Sequence, residues 1–319
     1  MSAVCSAVGI DTVTSGIIVD CDPGVDDAIA LLLAFGTNLP ILGITTVAGN
    51  VPLALTSHNA RIVCTLANRT DIPVHAGCPQ PMLQPLTTAD DVHGATGLQG
   101  APLPEPTFPL QDLHSVDYLT QTLLAANEPL TIAALGPLTN IAIALIQRPE
   151  LAERIEQLVI MGGSAGYGNI TPSAEFNMYV DPHAAQVVLS AGIPTVLITL
   201  DTTHQVLTTP KRLERIRAIG NSVSETAAGL LEFYGKRDIE MYGFAGGPLH
   251  DPCVMAYLLE PELFTPRRAK VAVETSGEYT IGRTVVDWHN SEASHIQVVD
   301  AVNVDGVYRL LNTALSNFS

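Results

Sequence analysis

Gly16-Ile17-Ile18-Val19-Asp20-Cys21-Asp22-Pro23-Gly24-Val25-Asp26-Asp27-Ala28-Ile29-Ala30-Leu31-Leu32-Leu33 carries two apolar runs joined by an acidic turn. The first run reads as a buried strand and the second as a buried helix, so the four carboxylates at 20, 22, 26 and 27 sit between them. Ligands of open α/β sheets bind at the carboxyl ends of strands. Negative charges packed this closely raise one another's pKa unless a cation neutralises them. Hard cations such as Ca²⁺ and Mg²⁺ take carboxylate oxygens. The stretch therefore predicts a divalent-metal site at a strand end. Structure alone explains only part of it: Asp26 or Asp27 suits the first helical turn, where the dipole favours negative charge, and Asp22 suits an N-cap. One helix start cannot use them all. An EF-hand is excluded, because its obligatory Gly and Glu fall on Val25 and Leu31.

Outward from this stretch, strand-like and helix-like segments alternate. Strands are expected at Ile41–Thr46, Ile72–His75, Leu130–Leu135, Leu158–Met161 and Thr195–Leu200. Helices are expected at Leu53–Ala67, Val116–Ala126, Leu138–Gln147 and Pro182–Ser190, the last with Asp181 as cap and Pro182 at its first position. Such alternation predicts an α/β fold with a mostly parallel central sheet and helices on both faces. Beyond Asp201 the pattern is more helical over 210–260. Strands return at Lys270–Glu274, Thr280–Val286 and Ile296–Val302, before a last helix near 305–315. No linker or repeat divides the chain, so residues 16–319 are read as a single domain and 1–15 as a flexible N-terminal extension. The Pro-rich segment 79–109 lacks periodicity and reads as a long, functional loop.

Composition narrows the function. Apolar residues make up 47% of the 319 and charged residues 15%, enough for a substantial core. The net charge of −17 argues against nucleic acid or an anionic membrane as partner. No apolar run is long enough to cross a bilayer, and the first sixteen residues lack the Lys or Arg of a secretory signal. The five Cys are scattered with no C-x-x-C pair, the pattern of reduced thiols in a cytoplasmic protein. Cys21 is flanked by carboxylates, which disfavour its thiolate; it is expected to turn to the other strand face and pack.

The expected strand ends carry polar groups: Thr45-Thr46-Val47-Ala48-Gly49-Asn50, Leu135-Gly136-Pro137-Leu138-Thr139-Asn140, and Met161-Gly162-Gly163-Ser164 followed by Asn169 and Glu175-Phe176-Asn177. In a parallel sheet these ends converge on one edge. The Gly162–Gly168 stretch fits neither G-x-G-x-x-G nor the P-loop. His250-Asp251-Pro252-Cys253 completes the set. Taken alone, Asp251-Pro252 reads as another helix cap like Asp181-Pro182, and His250 as a hydrogen-bonded core histidine.

In order and together, these motifs, with Val92-His93-Gly94, resemble the nucleoside hydrolases, which cleave the N-glycosidic bond of ribonucleosides. The resemblance spans nearly the whole chain after residue 15. Within the family, His93–Phe108 and Asn68-Arg69-Thr70-Asp71-Ile72-Pro73 look most like the bacterial pyrimidine-preferring enzymes. The resemblance implies one Ca²⁺ held by the side chains of Asp22, Asp27 and Asp251 and by the main-chain carbonyl of Leu135. It implies Asp22 as the base that takes a proton from the attacking water, and His250, with His93, at the departing base. It implies ribose contacts from Asp26, Asn50, Met161, Asn169, Glu175 and Asn177, and offers Tyr234 and Tyr242 as contacts to the nucleobase. A homotetramer acting on a small ribonucleoside is expected. The single Trp, Trp288, lies beyond these motifs, against the relatives that stack a purine between tryptophans.

Two other readings stand beside this one. A Ca²⁺-dependent riboside sensor would keep the site and lose turnover, but both Asp22 and His250 are present. A phosphohydrolase could use an Asp-x-Asp pair with Mg²⁺, but no phosphate-binding Lys/Thr pattern accompanies it, and Glu175 would repel a 5′-phosphate.

Overall fold

The computed structural model describes residues 16–318, and the expected extension 1–15 lies outside them. The strands are β1 (Ile17–Cys21), β2 (Ile41–Thr46), β3 (Val74–Ala76), β4 (Leu130–Ala134), β5 (Ile155–Met161), β6 (Thr195–Ile198), β7 (Leu207–Thr208), β8 (Gly247–Pro248), β9 (Phe264–Arg268), β10 (Lys270–Val273), β11 (Thr284–Asp287) and β12 (Ile296–Val302). Eight of them form one sheet in the order β3-β2-β1-β4-β5-β6-β12-β9. Every pairing in it is parallel except that of β12 with β9. β7 pairs with β8, and β10 with β11, in two small antiparallel ribbons.

Both faces of the sheet are buried, so its strands read as unbroken apolar runs rather than alternating ones. The alternation appears in which core each side chain joins. Ile17, Val19, Cys21, Val159, Met161, Val196 and Ile198 pack on one face. Ile18, Ile132, Leu158, Ile160 and Leu197 pack on the other. Cys21 accordingly sits in the core, its thiol directed at the Thr45 carbonyl. The helix Val25–Gly36 is buried at every position and packs against helices Pro252–Leu259 and Val304–Ser316. The helices Ser115–Ala125, Thr139–Gln147 and Pro182–Leu189 cover the opposite face. Asp181 caps the last of these through the Ala184 N–H at 3.0 Å, as its sequence predicts.

Several elements differ from the sequence reading: β5 begins at Ile155 rather than Leu158, and β3 covers Val74–Ala76 rather than Ile72–His75. The strand expected over 195–200 ends at Ile198, and Leu200–Thr203 is a short helical turn. The segment expected over 280–286 becomes strand only at Thr284, and it pairs in the small ribbon rather than in the main sheet. The edge strand β9 was not expected. Its sequence Phe-Thr-Pro-Arg-Arg lacks an apolar stripe, and Pro266 is tolerated there because the outer side of an edge strand needs no donor. The segment 79–109 is a long loop holding only the short helix Asp90–His93.

The strand order reverses between β1 and β4. A crevice opens at such a switch point, beyond the carboxyl ends of the two strands. Asp22 follows β1 and Leu135 follows β4, so both stand at the crevice. The fully buried Leu32 anchors the helix that leaves it. Leu32→Ala is expected to cost about 2–5 kcal/mol in urea unfolding. A loss below about 1 kcal/mol would show that this helix is not enclosed in solution.

Candidate active site

A cleft opens at this switch point. Asp26, Asn50, His93, Leu135, Met161, Asn169, Glu175, Asn177, Tyr234, Tyr242, His250 and Asp251 all line it. Asp22 and Asp27 lie beneath its floor, both fully buried. Residues from six separate stretches of chain are thus gathered into one wall. The segment 79–109 supplies His93, which is buried against the start of the helix Val25–Gly36 and accepts the Val25 N–H at Nδ1, 3.0 Å away.

The floor is a cluster of buried acids. Carboxylate oxygens of Asp26, Asp27 and Asp251 lie within 4.8 Å of one another. Asp22 stands beside this group of three, its Oδ2 accepting the Asn50 N–H at 2.7 Å. Asp27 accepts the N–H groups of Gly24 and Asp22 at 2.9 and 3.2 Å and so also closes the first helical turn. Asp251 occupies the N-cap position of Pro252–Leu259 but makes no capping bond, unlike Asp181, so capping does not account for it. Asp20 is separate: Thr45 Oγ1 and Asn140 Nδ2 donate to it at 2.5 and 2.8 Å, tying β1 to its neighbours below the cleft.

Burial is the largest cause of the pKa shifts in this cluster, and mutual repulsion adds to it. Burial and then the charge of Asp27 raise Asp26 to about 8. Burial raises Asp27 to about 6 against the pull of the Gly24 and Asp22 N–H groups. Asp22 and Asp251 are pushed well above the usual carboxylate range by burial and by their acidic neighbours. Asp22 Oδ1 and Asp26 Oδ1 are buried with no hydrogen-bond partner. His93 is the cluster's only ion-pair neighbour among the described residues, at 3.9 Å from Asp26, and burial lowers it to about 3, leaving it neutral. Buried, partnerless, uncompensated carboxylate oxygens are the donor set a hard divalent cation takes.

The cleft walls are hydrogen-bonded within the protein. Asn50 Nδ2 donates to the Asp22 carbonyl and to Asp27 Oδ2 at 3.2 and 3.1 Å. Asn177 Nδ2 donates to the carbonyls of Leu135 and Met161 at 2.7 and 3.2 Å. Glu175 is an N-cap, its carboxylate accepting the N–H groups of Gly163, Asn177 and Met178, while burial raises it to about 7. Asn169 Oδ1 accepts the Phe176 N–H at 2.9 Å. His250 Nδ1 meets Thr203 Oγ1 at 2.7 Å, and burial followed by the nearby His204 and His93 holds it well below its usual pKa. Tyr234 is buried and donates to Asp26 at 3.3 Å, whereas Tyr242 stands at the rim.

Sequence reasoning missed several of these supports. Thr203 carried no signal, because its role depends on the short turn after β6. Gly49 and Gly136 lie in the strand-end stretches 45–50 and 135–140, where the sequence alone gives them no evident purpose. A β-carbon at Gly49 would press into Asp22 Oδ2, and one at Gly136 into Asp22 Oδ1, so both glycines leave the room this carboxylate occupies. Asp91, Arg237 and Asp238 also line the cleft and had no motif to mark them.

The acids bind protons more tightly folded than unfolded. Their stabilising effect is therefore complete below the unfolded carboxylate pKa and is lost as pH rises through the folded values of about 6 and about 8. Chelator-treated protein is expected to melt at a lower temperature near pH 8 than near pH 5, with added Ca²⁺ reversing the loss. Equal melting temperatures at both pH values would show that the acids are not uncompensated.

Known proteins with the same architecture fit these observations. The pyrimidine-specific ribonucleoside hydrolase RihA of Enterobacter sp. (strain 638) is 47% identical over 307 residues, covering 95% of this chain and 98% of that one. The plant nucleoside hydrolase PpNRh1 superposes with a TM-score of 0.88 at 32% identity, covering 95% of this chain and 99% of that one. A purine-preferring ribonucleoside hydrolase from Gardnerella vaginalis superposes with a TM-score of 0.89 at 29% identity, covering 94% and 98%. The sequence profile of the inosine-uridine preferring nucleoside hydrolases matches residues 17–309, and this chain belongs to that family.

Proposed function

We propose that this N-ribosyl hydrolase acts on pyrimidine ribonucleosides, releasing ribose and the free base, and that it uses one Ca²⁺. The observation that carries the reading is the set of buried carboxylate oxygens without partners, Asp22 Oδ1 and Asp26 Oδ1, at the floor of a cleft walled by amide and histidine side chains. Asp22, Asp27, Asp251 and the Leu135 carbonyl are the residues that would hold the cation, which when bound compensates the acids and lowers the pKa of an adjacent water.

Asp22 takes the proton of the attacking water. Its Oδ2 is pinned by Asn50, its Oδ1 is open, and two glycines fix where it stands. The water oxygen bonds to C1′ as the C1′–N bond breaks through an oxocarbenium-like state, and the electron pair of that bond leaves with the base. His250, oriented by Thr203, donates a hydrogen bond to the departing base, and His93 lines the same region. Asp26, Asn50, Met161, Asn169, Glu175 and Asn177 hold the ribose. Asn177 donates to the same Leu135 carbonyl that is assigned to the cation. A site built to pair every hydroxyl rejects a deoxyribose, because the missing group leaves a buried polar atom unpaired.

The base preference is carried by the overall similarity to the RihA relative. Buried free thiols at Cys21, Cys64, Cys78 and Cys253 support a reducing, cytoplasmic setting, consistent with nucleoside salvage. No described helix is long and apolar enough to cross a membrane. We propose a homotetramer, which light scattering after gel filtration tests.

Uridine, cytidine, inosine and adenosine are to be incubated with and without a chelator and the released ribose assayed. Release from the pyrimidines, abolished by chelation and restored by Ca²⁺, is expected. Strong release from inosine instead would move the enzyme to the purine-preferring group. Asp22→Asn is expected to lower kcat by about 100-fold or more with little change in KM. Near-normal turnover in that variant would remove Asp22 as the base.

A further inference from the structure

The helix Ser222–Tyr242 turns one face to the cleft, with Tyr234, Arg237, Asp238 and Tyr242 all lining it. Residues three and four apart share a helix face, which accounts for the set. The surroundings change along this face. Tyr234 is buried and reaches Asp26 on the floor. Tyr242, at the rim, is 39% exposed. Asp238 lies between them, one turn beyond Tyr234 and about 6 Å further along the helix axis. It therefore faces the part of the cleft above the site assigned to ribose, where a nucleobase must lie.

Asp238 is partly buried in the cleft wall, yet no hydrogen bond or ion pair reaches its carboxylate among the described residues. The neighbouring cation is engaged elsewhere: Arg237 Nη2 pairs with Asp91 at 3.1 Å, tying the helix to the short helix Asp90–His93. Burial raises Asp238 to about 6, with the charge of Arg237 opposing, so near neutral pH it is chiefly ionised and can only accept hydrogen bonds. A partly desolvated acceptor without a protein donor favours a ligand that brings one.

We propose that Asp238 reads the nucleobase by accepting a hydrogen bond from the exocyclic 4-amino group of cytosine, and so selects cytidine over uridine. This assignment rests on the hydrolase reading above. The amino group projects from the ring and presents N–H donors outward. Uracil carries a carbonyl oxygen at the same position, whose lone pairs face the carboxylate. Its ring N–H lies between carbonyl oxygens, so a carboxylate approaching it meets repulsion on either side. A site that ends in a charged acceptor discriminates strongly against a ligand lacking the donor, because the acceptor is then left unpaired.

The test compares kcat/KM for cytidine and uridine in the intact protein and in Asp238→Asn. Each value is normalised to the same protein's release of nitrophenol from p-nitrophenyl riboside, a substrate with no N–H edge. The unmodified protein is expected to favour cytidine by at least about tenfold, the range of a charge-assisted hydrogen bond. In Asp238→Asn the ratio is expected to fall toward one, chiefly through a higher KM for cytidine, because an amide can serve either base by turning over. An unmodified protein that releases nitrophenol but shows no cytidine preference, or a ratio unchanged in Asp238→Asn, overturns the Asp238 assignment and leaves the hydrolase reading standing. An unmodified protein that hydrolyses none of the three substrates overturns both.

Discussion

Repulsion among buried carboxylates at the head of the first crossover organises this molecule. Asp22, Asp26, Asp27 and Asp251 are withdrawn from water, and among the described residues no cationic side chain compensates them. Taking such charges out of water costs several kcal/mol per ion even after relaxation. The fold accepts this cost for four acids together where the strand order reverses, while Asp20 and Glu175, buried nearby, are held by hydrogen bonds. The surrounding hydrogen bonds to Asp22 and Asp27, from Asn50 and from backbone N–H groups, hold the acids in position without neutralising them.

The rest of the architecture serves to keep that arrangement rigid. The apolar helix Val25–Gly36, buried along its whole length, fixes Asp26 and Asp27 in its first turn. The parallel neighbours of β1 fix Asp22 relative to Leu135. Beneath them, Asp20, Thr45 and Asn140 join the ends of β1 and β2 to the start of the helix Thr139–Gln147 through side chains, a buried polar network in which the loss of one member leaves another unpaired. The long segment 79–109 is ordered where it matters, because His93 accepts a backbone N–H from the very turn that carries the acids. On the proposed reading, the sugar and the departing base occupy successive levels of one cleft, from the acidic floor to the rim of the helix Ser222–Tyr242.

The fold was legible in the sequence to the extent that burial imposes a pattern. Fully buried parallel strands need continuous apolar runs, and β2, β4 and β12 show them with boundaries within a residue of the observed ones, while β1 runs two residues past its apolar run to Cys21. Where burial is partial, the pattern fails: β9 carries Pro266, Arg267 and Arg268, and only its antiparallel pairing with β12 makes it a strand. The site divides in the same way. Acids crowded in one turn have no adequate structural role and announce themselves. Thr203, Gly49 and Gly136 matter only through what they touch, and Asp238 only through what fails to touch it.

By itself, then, the sequence determined the α/β alternation, the strand end at which charge collects and the residue types gathered there, because local periodicity and charge density are properties of neighbours along the chain. The tertiary structure decided which acids share a cluster, that Asp251 is free of capping while Asp181 is not, that Glu175 spends its carboxylate on backbone N–H groups, and which helix face lines the cleft. These depend on distances between residues far apart in sequence, and only the packing of the sheet and its helices sets them.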